Sequence, residues 1–314
     1  MNFSRECQLA VVMGGPGAER KVSLASGQAV ASVLKEAGYS VTEIEVTDHS
    51  VDVPAGIDLC FNLIHGTYGE DGGLQRDLEK VGVAYTGAGV NTSRIAFDKN
   101  LSKEVFVAHD VPTPAAEILD CSNGIQLPKM PAPFVVKPPR EGSSVGIQVV
   151  KTDAEAEKAI ADAAKFSPDL LIEQFVQGRE LTVGVVGGKV LPVVEIIPPD
   201  GEWYDMETKY PWLSGQEAQS QYFCPAALSE AEQMAVQAAA LKAYQALGIE
   251  VYARVDVLLD ADGNPYVLEA NTIPGMTESS LLPLSAKAEG FTFLSLCERI
   301  AELSLAEKRG AGAE

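Results

Sequence analysis

Apolar positions over the first third of the chain fall into a strand–helix–strand rhythm. Residues 8–13 form a short apolar run closed by Gly14-Gly15-Pro16-Gly17, and Val22, Ala25, Ala29, Val33 and Leu34 then recur at helical spacing up to Gly38. Residues 41–46 and 59–64 read as strands. A second glycine-rich loop, HGTYGEDGG from His65 to Gly73, leads into a helix over about residues 74–80, and residues 83–85 close the section ahead of Gly87-Ala88-Gly89. Alternating elements with Gly at the strand exits predict a parallel sheet with helices on its faces. In such sheets ligands bind beyond the carboxyl ends of the strands, where both Gly-rich loops lie.

The middle of the chain changes character. The pattern predicts a helix over 97–109 broken by Pro112 and Pro114, an irregular stretch over 123–133, a strand at 134–137, the loop EGSSVG, a strand at 147–150, a helix over 154–165 and a strand at 170–175. This is a small α+β unit. Beyond it, two apolar strands flank Gly187-Gly188, and a long irregular stretch covers roughly 198–227; a loop of that length is usually functional or disordered. A helix over 230–247, a second hairpin over 251–271 and two terminal helices complete the chain. The divisions are drawn at residues 1–97, 98–182 and 183–314. No internal repeat is visible.

Composition narrows the classes. The 314 residues are 46% hydrophobic and 22% charged, as in a soluble globular enzyme. The net charge of −20, from 44 acidic against 24 basic residues, argues against a nucleic-acid-binding surface, which needs clustered positive charge. Cys7, Cys60, Cys121, Cys224 and Cys297 are scattered and odd in number, without a C-x-x-C pair, so neither a disulfide framework nor a zinc site is expected. No signal-peptide core and no apolar run of ~20 residues is present, so a cytoplasmic chain without a membrane partner is expected.

The sharpest chemical signal is YARVDVLLDADGNPYVLEAN. Asp262-Gly263 is a two-residue turn signal between apolar runs. Centred there, the turn places Asp256 opposite Glu269 and Arg254 opposite Asn271, all on one face, with Val255, Val257, Leu259, Tyr266 and Leu268 on the other. Opposed side chains have Cβ atoms ~4.5–5.5 Å apart and like charges there destabilise a sheet. A divalent cation such as Mg²⁺ would resolve the conflict, since it takes oxygen ligands. The alternative is that Arg254 simply pairs with one acid on a solvated face.

Other candidates are weaker alone. Lys137 precedes a Gly/Ser loop that could cradle phosphates, or that could be a surface hairpin. Glu173 and Glu180 flank LLIEQFVQGRE and could bind an adenine edge and ribose, or be two exposed acids. Glu19 could meet a substrate ammonium, or serve the start of the helix that follows. His65 at a strand end is the kind of lone His that more often plays a structural part. Lys209 and Tyr210, in EWYDMETKYPWLSGQEAQSQYF, suit either a lid or ordinary packing.

Taken in order, GGPGAERKVSLASG, KPPREGSSVGI, ETKY…YFCPA, ARVDVLLD and LEANTIPGMT resemble the D-alanine–D-alanine ligase family of ATP-grasp enzymes over about residues 8–305. The resemblance implies an α/β, three-domain ATP-grasp architecture: an N-terminal parallel-sheet, Rossmann-like domain and two α+β domains clasping ATP. It implies ATP-dependent joining of two D-alanines through a D-alanyl phosphate, for peptidoglycan synthesis, in a homodimer. Lys99, Lys137, Ser144 and Lys209 would serve the ATP phosphates, and Glu173, the Val176 backbone and Glu180 the adenine and ribose. Asp256, Glu269 and Asn271 would bind two Mg²⁺ or Mn²⁺ ions. Glu19 would hold the first D-alanine's ammonium and join Ser143 and Tyr210 in a triad that pins the lid. Arg254 and the Gly275 backbone would stabilise an oxyanion. Ser280 and Leu281 would meet the second D-alanine's carboxylate, and His65 is grouped with these substrate contacts.

Two departures stand out. Pro16-Gly17 replaces a small polar pair, and the lid between Tyr210 and Tyr222 exceeds that of the shortest relatives. Tyr210, where ester-forming relatives tend to have Phe, favours a dipeptide over a D-alanine–D-lactate product. The alternatives are a D-lactate or D-serine ligase, another ATP-grasp carboxylate–amine ligase, and a non-catalytic nucleotide or amino-acid sensor that keeps the fold.

Overall fold

The computed structural model describes residues 3–142, 145–199 and 220–307. Its first sheet is parallel, in the order β2 (Ser40–Val46), β1 (Gln8–Gly14), β3 (Leu59–Asn62), β4 (Ala84–Tyr85). Central β1 is buried on both faces, as its continuous apolar run requires. Leu9, Val11 and Met13 pack with Val30 and Leu34 of α1 (Arg20–Glu36), while Ala10 and Val12 pack with Leu74 and Leu78 of α2 (Gly73–Lys80).

The predicted helix over 97–109 is observed as one element over 99–108, and a helix that the pattern does not predict precedes it. α3 (Val90–Phe97) stops at Asp98, and α4 (Lys99–Ala108) begins there. The cause is Asp98, whose extended backbone ends one helix while its carboxylate accepts from Asn100 N at 3.0 Å and Leu101 N at 3.3 Å, capping the next.

The middle sheet is antiparallel, β5 (Ala116–Asp120), β8 (Asp169–Gln174), β6 (Phe134–Lys137), β7 (Gln148–Val150), with α5 (Ala156–Ala163) covering Phe134, Val136, Leu170 and Ile172 through Ile160. The third sheet runs β12 (Gln221–Phe223), β11 (Val194–Ile197), β9 (Arg179–Val186), β13 (Tyr252–Leu259), β14 (Pro265–Asn271), and the short β10 (Lys189–Val190) pairs back on β9. Strand β12 lies inside the stretch over 198–227 that the sequence pattern leaves irregular. α6 (Glu230–Ala246) starts at a Ser229/Glu232 capping box and buries Val236, Ala240 and Ala243 on Val183, Val255 and Val257.

α7 (Leu281–Ala288) and α8 (Phe293–Ala306) return to the first sheet. Leu282, Leu296 and Ile300 share one core with Leu9, Val11 and Leu34, so the two ends of the chain are fused by apolar packing. Among the described residues no helix is long and apolar enough to cross a membrane.

Candidate functional site

The β13–β14 hairpin pairs Arg254 with Asn271 and Asp256 with Glu269, as the sequence predicts. It reaches that register by another route. The turn is one residue longer than expected: Asp260 N donates to Asn264 O at 3.1 Å, with Gly263 at φ 82° inside the loop. A bulge between Asp256 and Val257 then shifts the ladder back. Below the bulge Val257 faces Val267, so Val267 is the core residue, and Tyr266 and Leu268, expected on that face, are only half-buried.

Asp256 is held on both oxygens. Arg254 Nε donates to Oδ1 and Arg254 Nη2 to Oδ2, each at 3.0 Å, and Thr182 Oγ1 on β9 donates to Oδ1 at 2.6 Å. The Arg–acid pair that counted as the alternative to a metal site is therefore present, yet it is buried rather than solvated: Arg254 is 8% exposed and Asp256 9%. Glu269 meets Lys99, the first residue of α4, at 3.1 Å, and Lys99 Nζ also donates to Glu141 O at 2.9 Å. Burial works against the Lys99 charge, but Glu269 beside it outweighs burial and holds its pKa above the ordinary lysine value. Asn271 Oδ1 accepts from Ile273 N at 3.1 Å, which leaves a second lone pair.

Glu19 occupies the N-cap position of α1, but its side chain does not cap the helix. Its carboxylate lies instead against two glycines of other loops: a Cβ on Gly142 would come within 2.4 Å of Oε2, and one on Gly66 within 3.0 Å. The same cleft is lined by Glu19, Glu70, Lys99, Gly142, Arg254, Glu269 and Asn271, drawn from all three parts of the chain. Lys137, Glu173 and Asp256 do not line it.

His65 is buried and its role is fixed by its partners. Nδ1 lies 2.7 Å from Ile273 O, and a carbonyl only accepts, so Nδ1 carries the proton. Nε2 lies 3.3 Å from Ser26 Oγ, which accepts from Met276 N at 3.1 Å. Burial lowers the His65 pKa below its ordinary value, which favours this neutral form. His65 and Ser26 thus tie the segment carrying Gly275 to the first sheet. Gly275 lies against Ser280, since a Cβ there would come within 3.0 Å of Ser280 Oγ. Ser280 Oγ accepts from Thr277 N at 3.0 Å, and Leu281 opens α7, where backbone N–H groups have no intrahelical partner.

Sequence reasoning missed Glu70. It is buried, and Gly66 N donates to its Oε1 at 2.9 Å. Burial first, then the charges of Glu19 and Glu269, push its pKa up to about 8. An acid inside the Gly-rich loop HGTYGEDGG was the only available signal.

Glu173, one residue before the end of β8, is buried between two ammonium groups, with Lys137 Nζ on one oxygen and Lys103 Nζ on the other. Burial pushes its pKa up, but the two lysines outweigh burial and hold it below the ordinary carboxylate value. Lys103 is a second residue the sequence reading passed over. Val176 and Glu180 are half-buried at the exit of β8 and the start of β9. Ser143, Ser144, Lys209 and Tyr210 lie outside the described residues.

Among the described residues no group of three or more His, Cys, Asp or Glu side chains is gathered to hold a metal ion. Asp256, Glu269 and Asn271 offer two carboxylates and an amide oxygen on one face. That set is incomplete alone, and it fits Mg²⁺, which is commonly held by one or two carboxylates plus substrate phosphates.

Comparison with known proteins gives three findings. Residues 122–302 match the family model for the D-ala D-ala ligase C-terminus. The chain is 44% identical to the D-alanine–D-alanine ligase of Methylacidiphilum infernorum (isolate V4), covering 97% of each chain, and 43% identical to that of Bordetella petrii, covering 93% and 90%. The crystal structure of the D-alanine–D-alanine ligase from Bacillus anthracis complexed with ATP superposes with a TM-score of 0.83 at 30% identity, covering 98% of this chain and 100% of that one.

Proposed function

The chain belongs to the D-alanine–D-alanine ligase family and is an ATP-dependent ligase that joins two D-alanines; from that premise we propose how its residues divide the work. Asp256, Glu269 and Asn271 would hold Mg²⁺ or Mn²⁺, two ions in all, whose charge neutralises the phosphate oxygens of ATP. Lys99, Lys137, Ser144 and Lys209 serve the phosphates, and Glu173, the Val176 backbone and Glu180 the adenine and ribose.

Glu19 holds the ammonium of the first D-alanine, so that its carboxylate faces the γ-phosphorus. Attack there releases ADP and gives D-alanyl phosphate. The work is mainly positioning and charge neutralisation. Water would destroy this intermediate, and a lid pinned by Glu19, Ser143 and Tyr210 would exclude it. The second D-alanine, its carboxylate at Ser280 and the Leu281 N–H beside His65, attacks through its deprotonated amine. Arg254 and the Gly275 N–H stabilise the tetrahedral oxyanion until phosphate leaves. The divisions proposed are residues 1–97, 98–182 and 183–314, with one amendment: 182/183 falls inside β9 (Arg179–Val186), so the second division is moved ahead of that strand. The family likeness extends the proposal to a cytoplasmic homodimer supplying peptidoglycan precursor.

The observation that carries this reading is the shared cleft, in which Glu19, Lys99, Arg254, Glu269 and Asn271 meet from three separate parts of the chain. Phosphate release is its test. Release should need ATP and D-alanine together and yield one dipeptide per phosphate; release without D-alanine, or without dipeptide, would overturn it.

A further inference from the structure

Lys103 is a buried lysine that no step above employs. Its three N–H donors are all committed: to Glu173 Oε1, to Thr113 Oγ1, and to Pro114 O at 3.2 Å. Thr113 is anchored in turn, donating to Val267 O at 2.7 Å on β14. Lys103 is therefore fixed between α4, the loop after it and the third sheet. Lys137 shares Glu173 with it from the end of β6 and has no other side-chain partner among the described residues. Among the described residues the charged groups facing Glu173 are these two lysines; β5 presents the backbone of Ala116 opposite it.

Two lysines on one carboxylate are more than neutralisation needs, and only one of them is free to leave. We propose that Lys103 is a positioning residue for nucleotide recognition: it keeps Glu173 ionised and in place when Lys137 turns to the phosphates, so that Glu173 accepts from the adenine amino group and repels a 6-oxo purine. The proposal rests on the reading that Glu173 meets the adenine edge. A buried carboxylate that loses its last cation takes up a proton. A protonated carboxyl can donate to the 6-oxygen of inosine, which an ionised one cannot. Selectivity for the base would then reside in the charge state of Glu173, set by a lysine that touches no nucleotide.

Steady-state kinetics with ATP and with ITP test this, using wild type, Lys103→Met, Lys103→Arg, Glu173→Gln and Lys103→Met/Glu173→Gln. Lys103→Met should raise the KM for ATP about tenfold, the worth of one hydrogen bond to a charged group, with kcat little changed. Its ITP-to-ATP ratio of kcat/KM should rise by a similar factor. Lys103→Arg keeps the charge and should keep the wild-type ratio. Glu173→Gln should raise the ratio by itself, and adding Lys103→Met to it should change nothing more. A Lys103→Met enzyme with the wild-type ratio overturns the role of Lys103 while leaving Glu173 at the base. A Glu173→Gln enzyme unchanged toward both nucleotides overturns the adenine reading and this proposal with it. If Lys103→Met alone does not fold, the double variant, in which the buried charge is removed with its partner, decides: any ratio other than that of Glu173→Gln refutes the proposal.

Discussion

Asp256 stands directly opposite Glu269 across the β13–β14 ladder, and each leans on a different cation: Arg254 holds both oxygens of Asp256, and Lys99 lies 3.1 Å from Glu269. Separate partners keep two like charges adjacent, where a bare pair would weaken the sheet. In the proposed reading both carboxylates serve a hard cation from this one face, and Asp256 would share its oxygens between that cation and Arg254. Glu269→Gln removes one anionic donor. The Mg²⁺ concentration for half-maximal activity should rise by at least ~10-fold, a loss typical even of groups that only support a metal ligand. Initial rates across a Mg²⁺ titration at saturating ATP and D-alanine read this directly. An unaltered curve takes Glu269 out of the metal set.

Arg254 has one observed duty, pairing with Asp256, and one proposed duty at the oxyanion, and one substitution separates them. As an oxyanion donor its loss should cost ~10²–10³ in kcat. As the partner of a buried carboxylate, its loss leaves Asp256 with Thr182 as its side-chain donor and should destabilise the fold by ~3 kcal/mol or more. Arg254→Lys restores the charge without the two-pronged fork. The urea midpoint should recover in that variant more fully than kcat does. Near-normal turnover by a folded Arg254→Ala enzyme would remove Arg254 from the oxyanion site.

The hairpin shows both the reach and the limits of local pattern. Its register at Asp256–Glu269 was legible because two deviations offset each other, a longer turn and a bulge at Leu268; neither has a sequence signature strong enough to read beforehand. The parallel sheet was legible from period and Gly placement alone. Ser26, Glu70 and Lys103 were not, because their meaning lies in segments far along the chain: Ser26 bonds Met276, Lys103 bonds Glu173, and Glu70 feels the charges of Glu19 and Glu269. One hint was available. Lys99 and Lys103 are four residues apart on a helix and so share a face. The structure aims that face at two acids on different sheets, Glu269 and Glu173.

Glu70 gives the protein a pH dependence of predictable sign. Its carboxyl is pushed up from 4.5 to about 8 by burial and then by the charge of Glu19. The folded state therefore binds this proton more tightly than the unfolded state does. The associated stability is whole at pH below about 4.5 and is lost as pH rises through about 8. Glu70→Gln presents an amide that cannot ionise, and that dependence should vanish. Between roughly pH 5 and 8 the slopes of the two proteins should differ by up to one proton, ~1.4 kcal/mol per pH unit. Equilibrium urea unfolding at several pH values across this range checks it. Parallel slopes would mean that Glu70 is ionised in the folded protein.

Gly69 tests how rigidly the loop between His65 and Glu70 is built. A Cβ there would lie 1.9 Å from the Ile64 carbonyl oxygen, and a backbone atom cannot swing aside. Nor can the loop retreat freely, since Gly69 O accepts from Asn62 Nδ2 at 2.8 Å and Gln75 Nε2 at 2.7 Å, both buried. Relief of the clash must break one of these bonds or displace the strand exit that carries His65. Gly69→Ala should therefore cost ~3 kcal/mol or more, at the upper end for overpacking. Gly56 supplies the contrast: its φ of 88° strains any side chain, but an added Cβ meets nothing within 4 Å. Gly56→Ala should cost only ~1 kcal/mol, a conformational penalty without a clash. Thermal unfolding of the two variants separates these cases, and because His65 and Glu70 flank Gly69, the KM for D-alanine should rise in Gly69→Ala alone. Equal losses of stability with unchanged KM would show that the loop relaxes around the methyl group and does not hold the substrate cleft in shape.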